Sequence, residues 1–539
     1  MRFRFGSQRV SCSRLCVIEN LTCLQSRDLI NEKMKKIFYL IFFCFCQCII
    51  YASNNLIDEI VPSKTLIWGP GLRPKDITMR ARYIFLQLRD KNEKNSSISA
   101  GEGIISAQIE GETLGGSPCH IWKQILDRKD GSFIIRYKLY QTCVNMKISI
   151  QVKNEDVPKS PLIFDGPVYE EECYCPNRDI DKWIENYECP QNYSQIQSDL
   201  QLFNDVDFDK IRYEIIKEFD RPSSVSICHY VIKHNKVYRH CYGQHVGFKI
   251  FMDAILLSLA RKVVLPDTEM FVNLGDWPLI KKTATIHPVF SWCGSDDSRD
   301  IVMPTWDITE STIENMGRVM LDMLSVQGNT KALWAAKIEK AFWQGRDARR
   351  ERLDLIDISR KHPDLINASI TNFFFFKNEM EKYGPKRNHT SFFNFFDYKY
   401  QLNIDGTVAA YRFPYLLAGD AVVFKQDSKY YEFFYKQLKP YEHYIPVKSD
   451  LSDLVEKIRW AKKHDDVAYK ISRTGQLFAR DNLMPQNIFC YHAALLKEWS
   501  SRLRNKVVVL AGMEEAPQPH SSCKCDYNES DVKGSKEEL

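Results

Sequence analysis

The chain has 539 residues, a length for two or three domains. A net charge of only +5 over that length excludes a strongly basic nucleic-acid binder. A hydrophobic content of 44% with 27% charged residues excludes a disordered chain.

Residues 37–51 form a short apolar run after Lys35 and Lys36 and before the small residues Ala52 and Ser53. A basic start, such a run and a small-residue exit describe a secretory signal peptide; an uncleaved anchor is the alternative. Residues 1–53 are therefore read as an upstream extension and signal peptide, with Met1 or Met34 as the start. Residues 511–539 form a tail ending Lys536-Glu537-Glu538-Leu539, a variant of the Lys-Asp-Glu-Leu retrieval address. The two signals predict the endoplasmic reticulum lumen and a KDEL-type retrieval receptor as a partner. That compartment permits disulfides, and the pairs expected are Cys173–Cys189, Cys175–Cys490 and Cys228–Cys241. Sequons at Asn95, Asn192, Asn367, Asn388 and Asn528 suit glycosylation there.

Residues 60–167 read as strands. Tyr83–Leu88, Gly131–Tyr137 and Lys147–Val152 alternate in part between apolar and polar residues, and Asp130-Gly131 is a tight-turn dipeptide. Short strands with regular turn signals predict a β-sandwich. Residues 170–510 switch to strands alternating with helices, which predicts doubly wound α/β sheets, two of them, with a nucleotide cleft between. Helices are expected at 247–260, 314–324, 333–342, 408–417, near 451–463 and 484–501. Strands are expected at 269–274 and 421–424. The run Asn372–Phe376 reads as buried strand.

Three motifs bear on chemistry. In Phe271–Pro278 an apolar strand ends at Gly275 and Asp276, where a carboxylate can take a proton from a hydroxyl. A turn-capping role competes with that reading. In Asp405–Arg412 small residues lead into the expected helix, where free N–H groups and the forked cation of Arg412 suit phosphate; an ordinary loop-to-helix junction with a surface Arg competes with that reading. In Trp343–Arg352 four arginines build an anion-binding wall or a solvated helix face. No HExxH or Gly-x-Ser-x-Gly pattern occurs, and the acidic pairs Asp296-Asp297 and Asp465-Asp466 do not follow apolar strands, so no metal and no cofactor are expected.

Trp68-Gly69-Pro70-Gly71-Leu72, Asp130–Tyr137 and Pro158–Leu162 resemble the opening, middle strand and ending of filamin-type immunoglobulin-like repeats. From about Cys173 to Trp499 the chain resembles glycosyltransferase family 90, the Rumi-type protein O-glucosyltransferases. Gly247–Leu259, Phe271–Pro278, Asp405–Arg412, Leu438–Pro440 and His443–Val447 carry that likeness.

The resemblance implies a filamin-type sandwich followed by a GT-B fold with two Rossmann-like lobes. It implies inverting transfer of glucose from UDP-glucose to serine in EGF-like repeats, as found in Notch-like and fibrillin-like proteins. It places the catalytic base on Asp276. Donor contacts fall on Trp306, Arg346, Arg352, Thr407, Val408, Ala409, Ala410, Tyr411 and Arg412. Acceptor contacts fall on Ile301, Val302, Met303, Pro304, Thr305, Trp306 and Asp307, and Glu432 is a further ribose candidate. Gln344 stands where the family usually has Arg, which leaves a catalytically inactive lumenal binding protein or chaperone as the rival reading.

Overall fold

The computed structural model describes residues 59–521 apart from 223, 317–320 and 330–332, together with 523, 525 and the backbone of 4–5 and 8–9. The run 37–51 and the terminal 536–539 lie outside the described residues. Val61–Leu539 form one compact unit. Among the described residues no helix is long and apolar enough to cross a membrane.

Strands β1 (Leu66–Trp68), β2 (Arg82–Gln87), β3 (Ile105–Glu112), β4 (Ile121–Asp127), β5 (Ser132–Leu139), β6 (Val144–Val152), β7 (Glu155–Asp156) and β8 (Leu162–Phe164) build two antiparallel sheets. One is ordered β1-β2-β5-β4, the other β8-β6-β3 with β7 paired to β6. Along β6, Met146, Ile148, Ile150 and Val152 point into the sandwich and are fully buried, the period-two pattern of a strand with one face in the core. β5 is instead buried at every position. Its second face is covered by the following region: Arg136 donates to the Asn315 carbonyl at 3.1 Å and to Ser325 Oγ at 3.0 Å. Asn315 in turn exchanges two hydrogen bonds with the Ala81 backbone, at 2.9 and 2.8 Å. Side chains of each region thus satisfy polar groups of the other, and the sandwich packs as part of the same body.

The next sheet is mixed. β9 (Ile227–Lys233) and β10 (Lys236–Tyr242) form a hairpin whose turn residues His234 and Asn235 both have positive φ, the two-residue turn that matches strand twist. Helix α1 (Lys249–Lys262) leads to β11 (Thr268–Asn273), then β12 (Val289–Ser291) and β13 (Ile301–Val302). The order is β13-β12-β11-β9-β10, with Glu514–Glu515 on the β10 edge. β11, β12 and β13 run parallel to one another, and the β9–β10 hairpin joins β11 antiparallel. Helix α2 (Trp306–Ile313) follows β13, and α3 is Met323–Gly328. The helix expected at 314–324 is not formed as such: α2 ends at Ile313, and residues 317–320 lie outside the described residues.

A second sheet is all parallel: β14 (Ile338–Arg346), β15 (Ile366–Asn372), β16 (Tyr398–Asn403), β17 (Val422–Gln426) and β18 (Ile445–Val447), ordered β15-β14-β16-β17-β18. Residues 338–342 are thus strand, not helix. Ala341 and Phe342, both buried, pair with β15 on one side and β16 on the other, and this pairing on both edges overrides the helical preference of Ala, Lys and Glu. Helices α4 (Arg350–Lys361), α5 (Phe413–Ala418), α6 (Asp465–Asn482) and α7 (Pro485–Ser500) cover it or return to the mixed sheet. From α7, Trp499 Nε1 donates to the Glu269 carbonyl at 2.7 Å and the Tyr491 hydroxyl to that of Val302 at 2.9 Å.

Of the expected disulfides only Cys228–Cys241 forms, across the β9–β10 hairpin. Cys189 pairs with Cys490, and the Cys173-x-Cys175 pair is joined to the tail as Cys173–Cys523 and Cys175–Cys525. Cys119 pairs with Cys143 inside the sandwich. Sequence proximity misled here: the chain returns at α7 and beyond to the segment that opens the second region.

Candidate active site

The parallel sheet reverses its winding between β14 and β16, and ligands bind outside the carboxyl ends of strands at such a point. A cavity of about 560 Å³ opens there, and the end of β11 reaches it from the mixed sheet.

At the end of β11, Asn273 Oδ1 accepts from the Gly275 N–H and Nδ2 donates to the Trp277 carbonyl, both at 2.7 Å. One amide side chain therefore folds the turn that presents Asp276 to the cavity. A Cβ at Gly275 would lie 2.7 Å from the Val225 side chain, so the turn needs glycine. Trp306 Nε1, at the start of α2, donates to Asp276 Oδ1 at 3.1 Å. The Asp276 carbonyl accepts from the Tyr411 hydroxyl at 2.7 Å and from the buried Cys293 thiol at 3.4 Å. Tyr411 belongs to the loop after β16, so the two sheets are tied together at this residue. Among the described residues Asp276 Oδ2 has no hydrogen-bond partner. Beside it, burial raises the Asp307 carboxyl to about 6, with Arg412 opposing.

Opposite stand the arginines, and they do different work. Arg352, 6% exposed, donates to the carbonyls of Asp405 (2.7 Å), Arg346 (3.0 Å) and Ile404 (3.1 Å). It clamps the loop after β16 to the end of β14; burial first, and neighbouring guanidinium groups second, oppose its charge. Arg412 Nη1 donates to the Gln344 carbonyl at 2.7 Å. Arg346 is exposed and carries its guanidinium 5.6 Å from the Phe374 ring. Among the described residues it has no ion pair. Gly406 lies against the clamp: a Cβ there would come 3.2 Å from Arg352 Nη2.

The helix expected from Val408 starts instead at Phe413. Pro414 sits in its first turn, where a missing N–H costs nothing, and residues 407–412 are loop. The feature expected to bind phosphate is therefore a loop of small residues. Among the described residues no acceptor within the chain faces the N–H groups of Thr407 to Tyr411.

The structure brings Asp276, Trp306, Asp307, Arg346, Arg352 and Thr407–Arg412 to one cavity. Ile301, Val302, Met303, Pro304 and Thr305 do not line it, and all five are buried. Glu432 is fully buried and does not line the cavity; burial holds its carboxyl up to about 8. Gln344 uses both ends of its amide, accepting from the Thr390 N–H at 2.8 Å and donating to the Asn388 carbonyl at 3.0 Å. It positions His389 and Thr390, cavity residues with no sequence signal of their own.

Phe374 and Phe375 are 52% and 60% exposed, against the expectation of a buried run. β15 ends at Asn372, and the fully buried Asp347 carboxylate accepts the N–H groups of Phe374, Phe375 and Phe376 at 2.7, 3.0 and 2.7 Å.

The family model for glycosyl transferase family 90 matches residues 184–537, and that for the filamin/ABP280 repeat matches 59–163. The chain belongs to glycosyl transferase family 90. Protein O-glucosyltransferase 2 of Danio rerio is 53% identical to this family 90 chain, over 85% of the chain and 91% of the relative. Protein O-glucosyltransferase 3 of Homo sapiens is 45% identical, over 88% and 94%. Human protein O-glucosyltransferase 1 is 31% identical, over 62% and 88%, less of this chain than the other two.

Proposed function

We propose that the protein is a UDP-glucose-dependent protein O-glucosyltransferase of the endoplasmic reticulum lumen, acting on serine hydroxyls of EGF-like repeats with inversion. The two α/β regions are read as the lobes of a GT-B fold, with 60–167 as the filamin-type domain and 170–510 as the transferase. The observation that carries the reading is the free Oδ2 of Asp276 in the same cavity as the loop Gly406–Arg412.

A serine hydroxyl is a weak nucleophile near neutral pH and needs a base. Asp276 Oδ2 accepts its proton as the oxygen attacks the anomeric carbon. The bond from that carbon to the UDP oxygen breaks on the opposite face. The diphosphate gains negative charge, which the N–H groups of Thr407–Tyr411 and the side chains of Arg346 and Arg412 stabilise. Arg352 keeps that loop in place. Charge on the leaving group is met by arginine and backbone, so the reaction runs without a metal and persists in chelator. The test is incubation of the purified protein with UDP-glucose and a folded EGF-like repeat. One added hexose on a serine, by mass spectrometry, supports the reading; unmodified repeat in every donor tested rejects it.

A further inference from the structure

Two consecutive phenyl rings standing in water beside a cavity need a reason, because soluble proteins rarely expose fixed apolar patches without a use. Phe374 and Phe375 are held, not frayed: three successive N–H groups bind one buried carboxylate, Asp347. The rings flank the cavity rather than line it. Thr371 and Asn372, three and two residues before Phe374, are in its wall, and so is Arg346, whose guanidinium covers the Phe374 ring at 5.6 Å. A donor confined to the cavity does not reach them; a ligand that protrudes from it does. Across the cleft, Trp277 follows Asp276 directly and is 45% exposed.

We infer that Phe374 and Phe375 form an acceptor-docking surface that takes an apolar side chain of the polypeptide carrying the serine. This rests on the transferase reading above and adds the surface by which the protein acceptor is chosen. A serine delivered to Asp276 brings the rest of its polypeptide across the rim. Rigid aromatic rings give such contacts much area at little entropic cost.

The test is the double variant Phe374→Ser/Phe375→Ser, at exposed positions that leave the core intact. KM for a folded EGF-like acceptor is expected to rise about tenfold, the loss of roughly 1.4 kcal/mol of contact. KM for UDP-glucose and its slow hydrolysis by water are read on the single variant Phe375→Ser, which keeps the Phe374 ring under Arg346, and should stay within about twofold. Asp347→Asn, which loosens the loop but keeps both rings, should give a smaller rise in acceptor KM alone. An acceptor KM within about twofold of wild type overturns the proposal, and so does a rise in donor KM, which would make the rings a nucleotide-base platform. If the wild type transfers no glucose, the functional reading is what fails. Direct binding of the folded repeat by calorimetry then decides the surface: tighter capture by wild type than by the double variant supports it, and equal capture overturns it.

Discussion

The mixed sheet and the parallel sheet meet at one cavity and contribute opposite chemistry. The mixed sheet supplies acid groups and an indole: Asp276 and Asp307, with Trp306 between Asp276 and the aromatic pair Phe248 and Phe251. The parallel sheet supplies guanidinium groups and a loop of unpaired N–H groups. The difference teaches that proximity is not function. Arg352 spends its donors on three backbone carbonyls and Arg412 one N–H on a fourth, while among the described residues Arg346 has no ion pair. Asp276 likewise uses one carboxylate oxygen for Trp306 and leaves the other open.

The sharpest way to break this division is Asp276→Asn. It keeps the Trp306 bond and removes the proton acceptor, so transfer should fall about 10²–10⁴-fold while UDP binding by calorimetry is unchanged. Equal losses of binding and turnover would show that the carboxylate serves the donor instead. Next in size is Arg352→Lys. A single ammonium cannot reach three carbonyls in one plane, so buried acceptors are left unpaired at about 1–3 kcal/mol each. Thermal stability and transfer should drop together. Arg346→Gln should do the reverse: unchanged melting temperature and a rise of about tenfold in KM for the donor, the value of one charge-assisted contact.

The smallest effect sharpens the electrostatics. Burial keeps Glu432 protonated up to about pH 8, against about 4.5 in the unfolded chain. Its contribution to stability is therefore complete below pH 4.5 and is lost as pH rises to 8. Glu432→Gln stays neutral throughout, so its melting temperature should gain on wild type between pH 5 and pH 8, by roughly 2–4 °C for each kcal/mol recovered. A difference that does not change with pH, followed by calorimetry, would show that Glu432 is not the titrating group.

Much of this was legible beforehand, for reasons of local chemistry. A strand ending in Gly275-Asp276 and a run of small residues from Gly406 announce themselves by composition. What failed failed through partners distant in sequence. Ala341 and Phe342 read as helix until two neighbouring strands claim their backbone. Phe374 and Phe375 read as core because nothing in the run reveals that Asp347 holds the chain outward. Ile301–Thr305 read as acceptor contacts, yet all five are buried and none lines the cavity. Pro414 was visible, but its place in a first turn, not inside a helix, moved the helix start by five residues and turned an expected dipole into a loop.

The two tail disulfides have a mechanical consequence. Cys523 and Cys525 anchor to Cys173 and Cys175, each across a sequence separation of 350 residues. Tension applied beyond residue 525 passes through covalent bonds into the segment joining the sandwich to the transferase. The strands and loops around Asp276 lie off that covalent path.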